Sequence, residues 1–286
     1  MTARIGLIGY PVRHSISPIF QQAALDALGI DARYEAWETP PEALAQRITA
    51  LRAADVLGAN VTVPHKEAAL AHVDRIDALA RRAGALNTIY REGDALAATN
   101  TDIAGFRRAL REVGGFDAAG TRALVLGAGG AARAIVIALE MEGATSIAIA
   151  NRTEERARRL IADLRSDAGP DLFFLSWQEA VSREVLASVD LLVHCTTLGL
   201  SGSPQAEASP VAAAALHAGL FVADVVANPR ETPLLRAARA AGARTLDGLP
   251  MLVYQGAEAF TLWTGQPAPV AVMLAAAEAA MEQRAG

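Results

Sequence analysis

Of the 26 basic residues in this chain, 25 are arginines and one is a lysine, Lys66. Arginine stays protonated at any physiological pH, whereas a lysine can lose its proton when its surroundings lower its proton affinity. A site that must exchange a proton would therefore reject the cation used everywhere else in this sequence. Drift in base composition explains the arginine bias but not the exception, although a lysine surviving by chance is the plainer reading. Lys66 follows the apolar run Gly58–Val63, which ends at Pro64. That places it just past a strand's carboxyl end, where open α/β sheets put their ligands. A second candidate, Asp102, begins an amphipathic segment after Thr101. A carboxylate there could position a lysine, or could simply meet the positive end of a helix dipole.

A second chemical signal starts at Ala123-Leu124-Val125-Leu126, a short apolar run that reads as a buried parallel strand. Gly127-Ala128-Gly129-Gly130-Ala131 follows, then an apolar segment long enough for a helix. Gly127 permits the tight turn, Gly129 allows close approach to a pyrophosphate, and Ala132 is the small residue where helix meets strand. Free N–H groups at the helix start would face the ligand's negative charge. An acidic residue expected after the next strand is replaced by Asn151-Arg152-Thr153, with Arg156 one turn on. Arg152, Thr153 and Arg156 suit a ribose 2′-phosphate, so NADP is favoured over NAD. The plainer alternative is an N-capped, charge-laced surface helix.

These sites need elements to hold them. The 286 residues, 52% hydrophobic, allow one large or two ordinary domains. A net charge of −5 does not indicate nucleic acid or an acidic membrane as partner. One cysteine, Cys195, precludes an intrachain disulfide and suits a reducing compartment, so a cytoplasmic protein is expected. No signal peptide, transmembrane span or metal site is expected. Strands are expected at 4–9, 32–38, 58–63, 86–90 and 94–99, with helices at 18–28 (capped by Ser17), 41–53 and 74–83, giving an α/β half with mixed strand directions. After a helix over 102–113, strands and helices alternate to residue 246, which predicts a Rossmann-type doubly wound parallel sheet. Helices over 251–263 and 269–283 close the chain.

The sequence resembles the shikimate/quinate dehydrogenase family over essentially its whole length. The matching blocks are Gly9-Tyr10-Pro11-Val12-Arg13-His14-Ser15-Ile16-Ser17-Pro18, Gly58-Ala59-Asn60-Val61-Thr62-Val63-Pro64-His65-Lys66, Gly84-Ala85-Leu86-Asn87-Thr88 and Asn100-Thr101-Asp102-Ile103-Ala104-Gly105. The Gly-rich loop, Asn151-Arg152-Thr153, Thr232-Pro233-Leu234-Leu235, Gly248 to Gln255 and Phe260 to Gly265 follow in order. The resemblance implies a substrate domain (1–103 with 249–286) and an NADP-binding domain (104–248). It implies Lys66 and Asp102 as the catalytic acid–base pair. It places Ser15, Ser17, Asn60, Thr62, Asn87 and Gln255 against a polyhydroxy ring acid. Thr196, Val225, Gly248 and Met251 join Gly127–Ala131, Asn151, Arg152, Thr153 and Arg156 against the cofactor. The implied reaction is reversible NADP-dependent reduction of 3-dehydroshikimate to shikimate, in aromatic amino acid biosynthesis. Plainer roles remain for some of these: Ser17 could cap its helix, and Asn60 and Asn87 could satisfy buried backbone at strand ends.

The chain departs from the family pattern in places. Phe20-Gln21 replaces a His-Asn type pair, His194-Cys195-Thr196 replaces Asn-Ala-Thr, Ala227 stands for a tyrosine, and Pro250 stands for a glycine. His194 and Cys195 end a buried strand and are expected to be inert. Ala227 and Pro250 keep a second enzyme reading open, a paralogue oxidising quinate, aminoshikimate or a related ring acid. A non-catalytic NADP-binding sensor is the alternative outside enzymes, and a homodimer is left open.

Overall fold

The computed structural model describes residues 2–285. The chain divides into two compact units, Met1–Gly105 with Leu252–Gly286, and Phe106–Met251.

In the first unit, β1 (Ala3–Gly9) lies between β2 (Ala32–Glu38) and β3 (Val56–Val61), parallel to both. The hairpin β5 (Thr88–Glu92) and β6 (Ala95–Thr99) turns at Gly93, whose φ of 63° suits a residue without Cβ. It adds to β3 antiparallel, and the short β4 (Arg75–Ile76) pairs parallel with β6, giving the order β2-β1-β3-β5-β6-β4. The mixed sheet agrees with the sequence, but the expected helix over 74–83 does not form as one piece. Its first residues are drawn into β4, and α3 spans only Ala78–Ala83, capped by Asp77. Asp74 itself is taken by Arg52 and the Leu96 N–H.

Two helices fall on the serine-bearing end and on the sheet. In α1 (Ser17–Ala27) the N-cap position is Ile16, so Ser17 is the first helical residue and not the cap. The segment after Pro40 is a 3₁₀ turn followed by α2 (Leu44–Ala50). Ile8, Trp37, Leu44, Ile48, Val61, Leu86 and Ile89 belong to one buried cluster under this sheet. α10 (Gly248–Thr264) supplies its later residues to this unit, as does α11 (Val270–Ala285), which packs on α1. α4 (Asp102–Arg108) runs on through a π-helical turn, Ala109–Val113, so the helix expected over 102–113 changes its winding in the last turn.

In the second unit all six strands are parallel, in the order β12-β11-β10-β7-β8-β9. They are β7 (Arg122–Leu126), β8 (Ser146–Ala150), β9 (Asp171–Phe174), β10 (Leu191–His194), β11 (Phe221–Asp224) and β12 (Arg244–Leu246). The order reverses between β7 and β10, which is the switch point of a doubly wound sheet. α5 (Gly130–Met141), α6 (Glu154–Leu164), α7 (Trp177–Ala180), α8 (Arg183–Ser188) and α9 (Pro233–Ala240) connect the strands. Two short helices, α7 and α8, lie between β9 and β10, because Ser176 and Ser182 each cap a separate start. No helix among the described residues is long and apolar enough to cross a membrane.

Candidate active site

Lys66 and Asp102 meet. Lys66 Nζ donates to Asp102 Oδ2 at 2.5 Å, with side chains 15% and 6% exposed. The lysine rides on a turn after β3 that is pinned on both sides. His65 N–H donates to Thr62 O, His65 Nε2 donates to Thr39 O at 2.7 Å, and Lys66 O accepts Leu86 N–H at 2.8 Å. The carboxylate is held just as firmly. Asp102 begins α4, its N–H donates to Asn100 Oδ1, and Asn100 Nδ2 donates to Ala85 O.

Asn87 is the hub. Its Nδ2 shares two hydrogens among Asp102 Oδ1 (2.8 Å), Thr101 Oγ1 (2.9 Å) and Gln255 Oε1 (3.0 Å). The amide orientation is fixed because Thr101 N–H donates to Asn87 Oδ1 at 2.7 Å. Gln255 is fixed in turn by its Nε2, which donates to Leu252 O. A buried network satisfied at this many points holds one geometry.

Asn60 has a supporting place in the same network. Both hydrogens of its Nδ2 are used, on Asn87 O and Thr88 Oγ1, and its Oδ1 accepts the Tyr34 hydroxyl at 2.8 Å. Burial pushes the Tyr34 phenol up, so it remains an O–H donor. This is the backbone-satisfying role that the sequence left open for Asn60, and it extends to the Thr88 side chain.

The side chains of Ser15, Ser17 and Thr62, also expected at the substrate, make no hydrogen bond to Lys66, Asp102 or Asn87. Ser15 Oγ accepts Ser17 N–H at 3.1 Å, and Thr62 N–H donates to Ile8 O. Arg284 of α11 donates to the carbonyls of His14 and Ser15, fixing the loop that carries Ser15 and leads into Ser17. Sequence reasoning missed Tyr34, His65, Thr88 and Thr101 as members of the network. The last three lie inside the motif blocks, but Tyr34 carries no signal beyond its alternation in β2.

In the second unit the residues expected at a cofactor gather at the carboxyl ends of β7, β8, β10 and β11, which are in register where they pair. Gly127 has φ +125°, and a Cβ there would come within 2.9 Å of Cys195 O, so the turn after β7 is pressed against the end of β10. Gly129 differs: it is extended, it is the N-cap of α5, no side chain caps that helix, and a Cβ on it would meet nothing. Open space before an uncapped helix start fits a pyrophosphate. Arg152, Thr153 and Arg156 are exposed just beyond β8, with Asn151 Nδ2 bent back onto Thr153 O. Thr196 and Val225 follow β10 and β11 and are half-buried. Gly248 must be small because a Cβ would lie 2.6 Å from Val225 O, and Met251 is buried one turn on. Pro250 fits because first-turn N–H groups of a helix have no intrahelical acceptor. Gln21 anchors α1 to α10 by donating to Gly256 O at 2.9 Å. Nothing in the structure explains Ala227. His194 and Cys195 are outside any nucleophilic arrangement: both ring nitrogens of His194 are engaged, and burial next to Asp224 pushes the Cys195 thiol up.

Three family models match the chain. They are described as the shikimate dehydrogenase substrate binding domain over residues 7–89, shikimate/quinate 5-dehydrogenase over 108–249, and the shikimate 5′-dehydrogenase C-terminal domain over 248–278. A shikimate dehydrogenase (NADP(+)) of Moorella thermoacetica is 46% identical over 95% of this chain and 91% of its own. The crystal structure of a Thermus thermophilus shikimate 5-dehydrogenase in complex with NADP(H) and shikimate superposes with TM-score 0.85 at 41% identity, covering 97% of this chain and 99% of that one. A quinate dehydrogenase from Corynebacterium glutamicum in complex with NAD superposes with TM-score 0.87 at 29% identity, over 97% and 99%.

Proposed function

From a chain that belongs to the shikimate dehydrogenase family, we propose an enzyme that interconverts 3-dehydroshikimate and shikimate with NADP. The observation that carries the assignment to residues is the Lys66–Asp102 pair at 2.5 Å, buried among Asn87, Thr101 and Gln255. When bound, NADP supplies the nicotinamide that takes or returns the hydride. Lys66 Nζ takes the proton from the substrate hydroxyl during oxidation and returns it to the carbonyl oxygen during reduction. Asp102 orients Lys66 through Oδ2, and Asn87 keeps the other carboxylate oxygen from turning. Ser15, Ser17, Thr62, Asn87 and Gln255 bring hydroxyl and amide groups suited to a ring carrying hydroxyls and a carboxylate. Asn60 acts from behind them, through Asn87 and Thr88.

On the cofactor side, Gly127 to Ala131 and the start of α5 take the pyrophosphate. Arg152, Thr153 and Arg156 take the 2′-phosphate, with Asn151 shaping their turn. Thr196, Val225, Gly248 and Met251 line the ends of β10 and β11 and the start of α10 for the rest of the dinucleotide. The quinate reading is not favoured, because the relative named for shikimate is 46% identical whereas the quinate dehydrogenase is 29% identical. The test is reduction of NADP⁺ and NAD⁺ by the pure protein with shikimate, quinate and aminoshikimate. Shikimate with NADP⁺ should give the highest kcat/KM, and a higher value for another ring acid would overturn the assignment.

A further inference from the structure

His194 is completely buried, yet it is a polar residue where the fold needs only a strand end. Its Nδ1 lies 3.0 Å from Asp224 Oδ1, and its Nε2 lies 2.6 Å from Thr196 Oγ1. Asp224 is also buried and has no hydrogen to give as a carboxylate. Its Oδ1 also accepts Val226 N–H at 3.0 Å, and its Oδ2 accepts the Thr232 hydroxyl at 2.7 Å. Thr232 Oγ1 in turn caps α9 by accepting Leu235 N–H. One imidazole thus joins the loops after β10 and β11 to the start of a helix.

Donor accounting sets the direction of each bond. Nδ1 faces a carboxylate oxygen and so carries the hydrogen. In the neutral ring that leaves Nε2 as an acceptor, and the only proton it can accept belongs to Thr196. Thr196 Oγ1 already accepts Leu198 N–H at 3.2 Å. With its proton turned inward on His194, the hydroxyl has only a lone pair left for a ligand.

We propose that His194 is a positioning residue for the cofactor: it turns the Thr196 hydroxyl so that it meets bound NADP as an acceptor, and it ties the ends of β10 and β11 together. The inference rests on the reading of Thr196 as a cofactor residue. It narrows what Thr196 can touch. A hydroxyl that only accepts suits the sugar hydroxyls or the carboxamide N–H of the cofactor, and it repels phosphate oxygens. β10 to β12 form the second half of the doubly wound sheet, so the partner is the nicotinamide nucleotide and not the adenosine 2′-phosphate end.

Two measurements decide it. In His194→Phe an aromatic ring, somewhat larger, is kept and both nitrogens are lost, whereas His194→Asn keeps one donor and one acceptor. By calorimetry, His194→Phe should weaken NADP⁺ binding by about three- to tenfold, the range of one lost neutral hydrogen bond. Binding of 2′,5′-ADP, which lacks the nicotinamide nucleotide, should stay as in wild type, and His194→Asn should recover part of the loss. Equal weakening of both ligands, or none, would overturn the proposal. Because His194→Phe leaves Asp224 short of a donor and could impair folding, the second measurement uses wild type. Nitrogen NMR should show His194 with its hydrogen on Nδ1, and an Nε2 resonance that moves on adding NADP⁺ but not on adding 2′,5′-ADP. A hydrogen on Nε2, whether the ring is neutral or charged, or an Nε2 indifferent to NADP⁺, would defeat the inference. Wild type that binds NADP⁺ and oxidises shikimate while His194 stays silent refutes this proposal alone. Wild type that does neither refutes the functional reading instead.

Discussion

Asn87 Nδ2 donates to Asp102 Oδ1 at 2.8 Å, the carboxylate oxygen opposite the one that holds Lys66. The carboxylate is therefore gripped from both sides, and its partner lysine is aimed by a group that is itself immobile. Preorganisation of this kind is what a proton-transfer site requires.

Lys66→Arg should fold and bind NADP⁺ normally, since the positive charge beside Asp102 survives. Its kcat should fall by about 10²–10⁴-fold, because a guanidinium does not exchange the proton. Steady-state shikimate oxidation checks this, and near-normal kcat would reduce Lys66 to an electrostatic anchor.

Replacing Arg152 and Arg156 together by alanine should weaken NADP⁺ binding and leave NAD⁺ binding little changed. Each lost charge-assisted hydrogen bond is worth about 1.5–3 kcal/mol. Titration of both cofactors is the measurement, and equal losses would show that the two arginines do not read the 2′-phosphate.

Gly127 and Gly129 should respond in opposite ways. Gly127→Ala puts a Cβ 2.9 Å from Cys195 O at φ +125°, so Tm should drop, with strain of about 1–3 kcal/mol. Gly129→Ala meets no protein atom, so Tm should hold while NADP⁺ affinity falls. Thermal melts with and without cofactor separate the two, and a Gly129→Ala protein with wild-type affinity would remove the pyrophosphate from this loop.

Asp74 gives the protein an acid-sensitive contact. The Arg52 guanidinium, with help from the Leu96 N–H, holds its carboxyl down at about 2, against an ordinary value of 3.8. A depressed folded value means a contribution that is present above the ordinary value and lost as pH falls through the folded one. Asp74→Asn should therefore be less stable than wild type near neutrality, and the gap should close between about pH 4 and pH 2. Denaturant melts across that range test it, and a constant gap would show that the charge of Asp74 is not responsible.

Much of this was legible in the residues. The Gly-rich turn and the alternating strands after residue 121 are local signals, and they survive folding because each is set by nearby chain, whereas the solitary lysine stands out only against the composition of the whole chain. What the sequence concealed is set from a distance. The helix expected over 74–83 gave way because Arg52 and Leu96, both remote in sequence, capture Asp74. Ser17 is not a cap because the loop before it turns so that Ile16 takes that position. Tyr34 joined the network through Asn60, 26 residues away, and no local pattern marks such a contact. The inward orientation of Asn60 has the same origin: a motif gives the residue type but not which way its amide faces.

The first unit is discontinuous, and this orders its birth. Residues 106–251 leave the ribosome as an uninterrupted piece with every strand of their sheet, whereas the segment before them still lacks its last two helices. Asn87 waits for Gln255, made 168 residues later, and the serine loop waits for Arg284, which closes on Ser15 across 269. During synthesis the parallel sheet can be finished while the network around Lys66 and Asp102 is still missing one of its members.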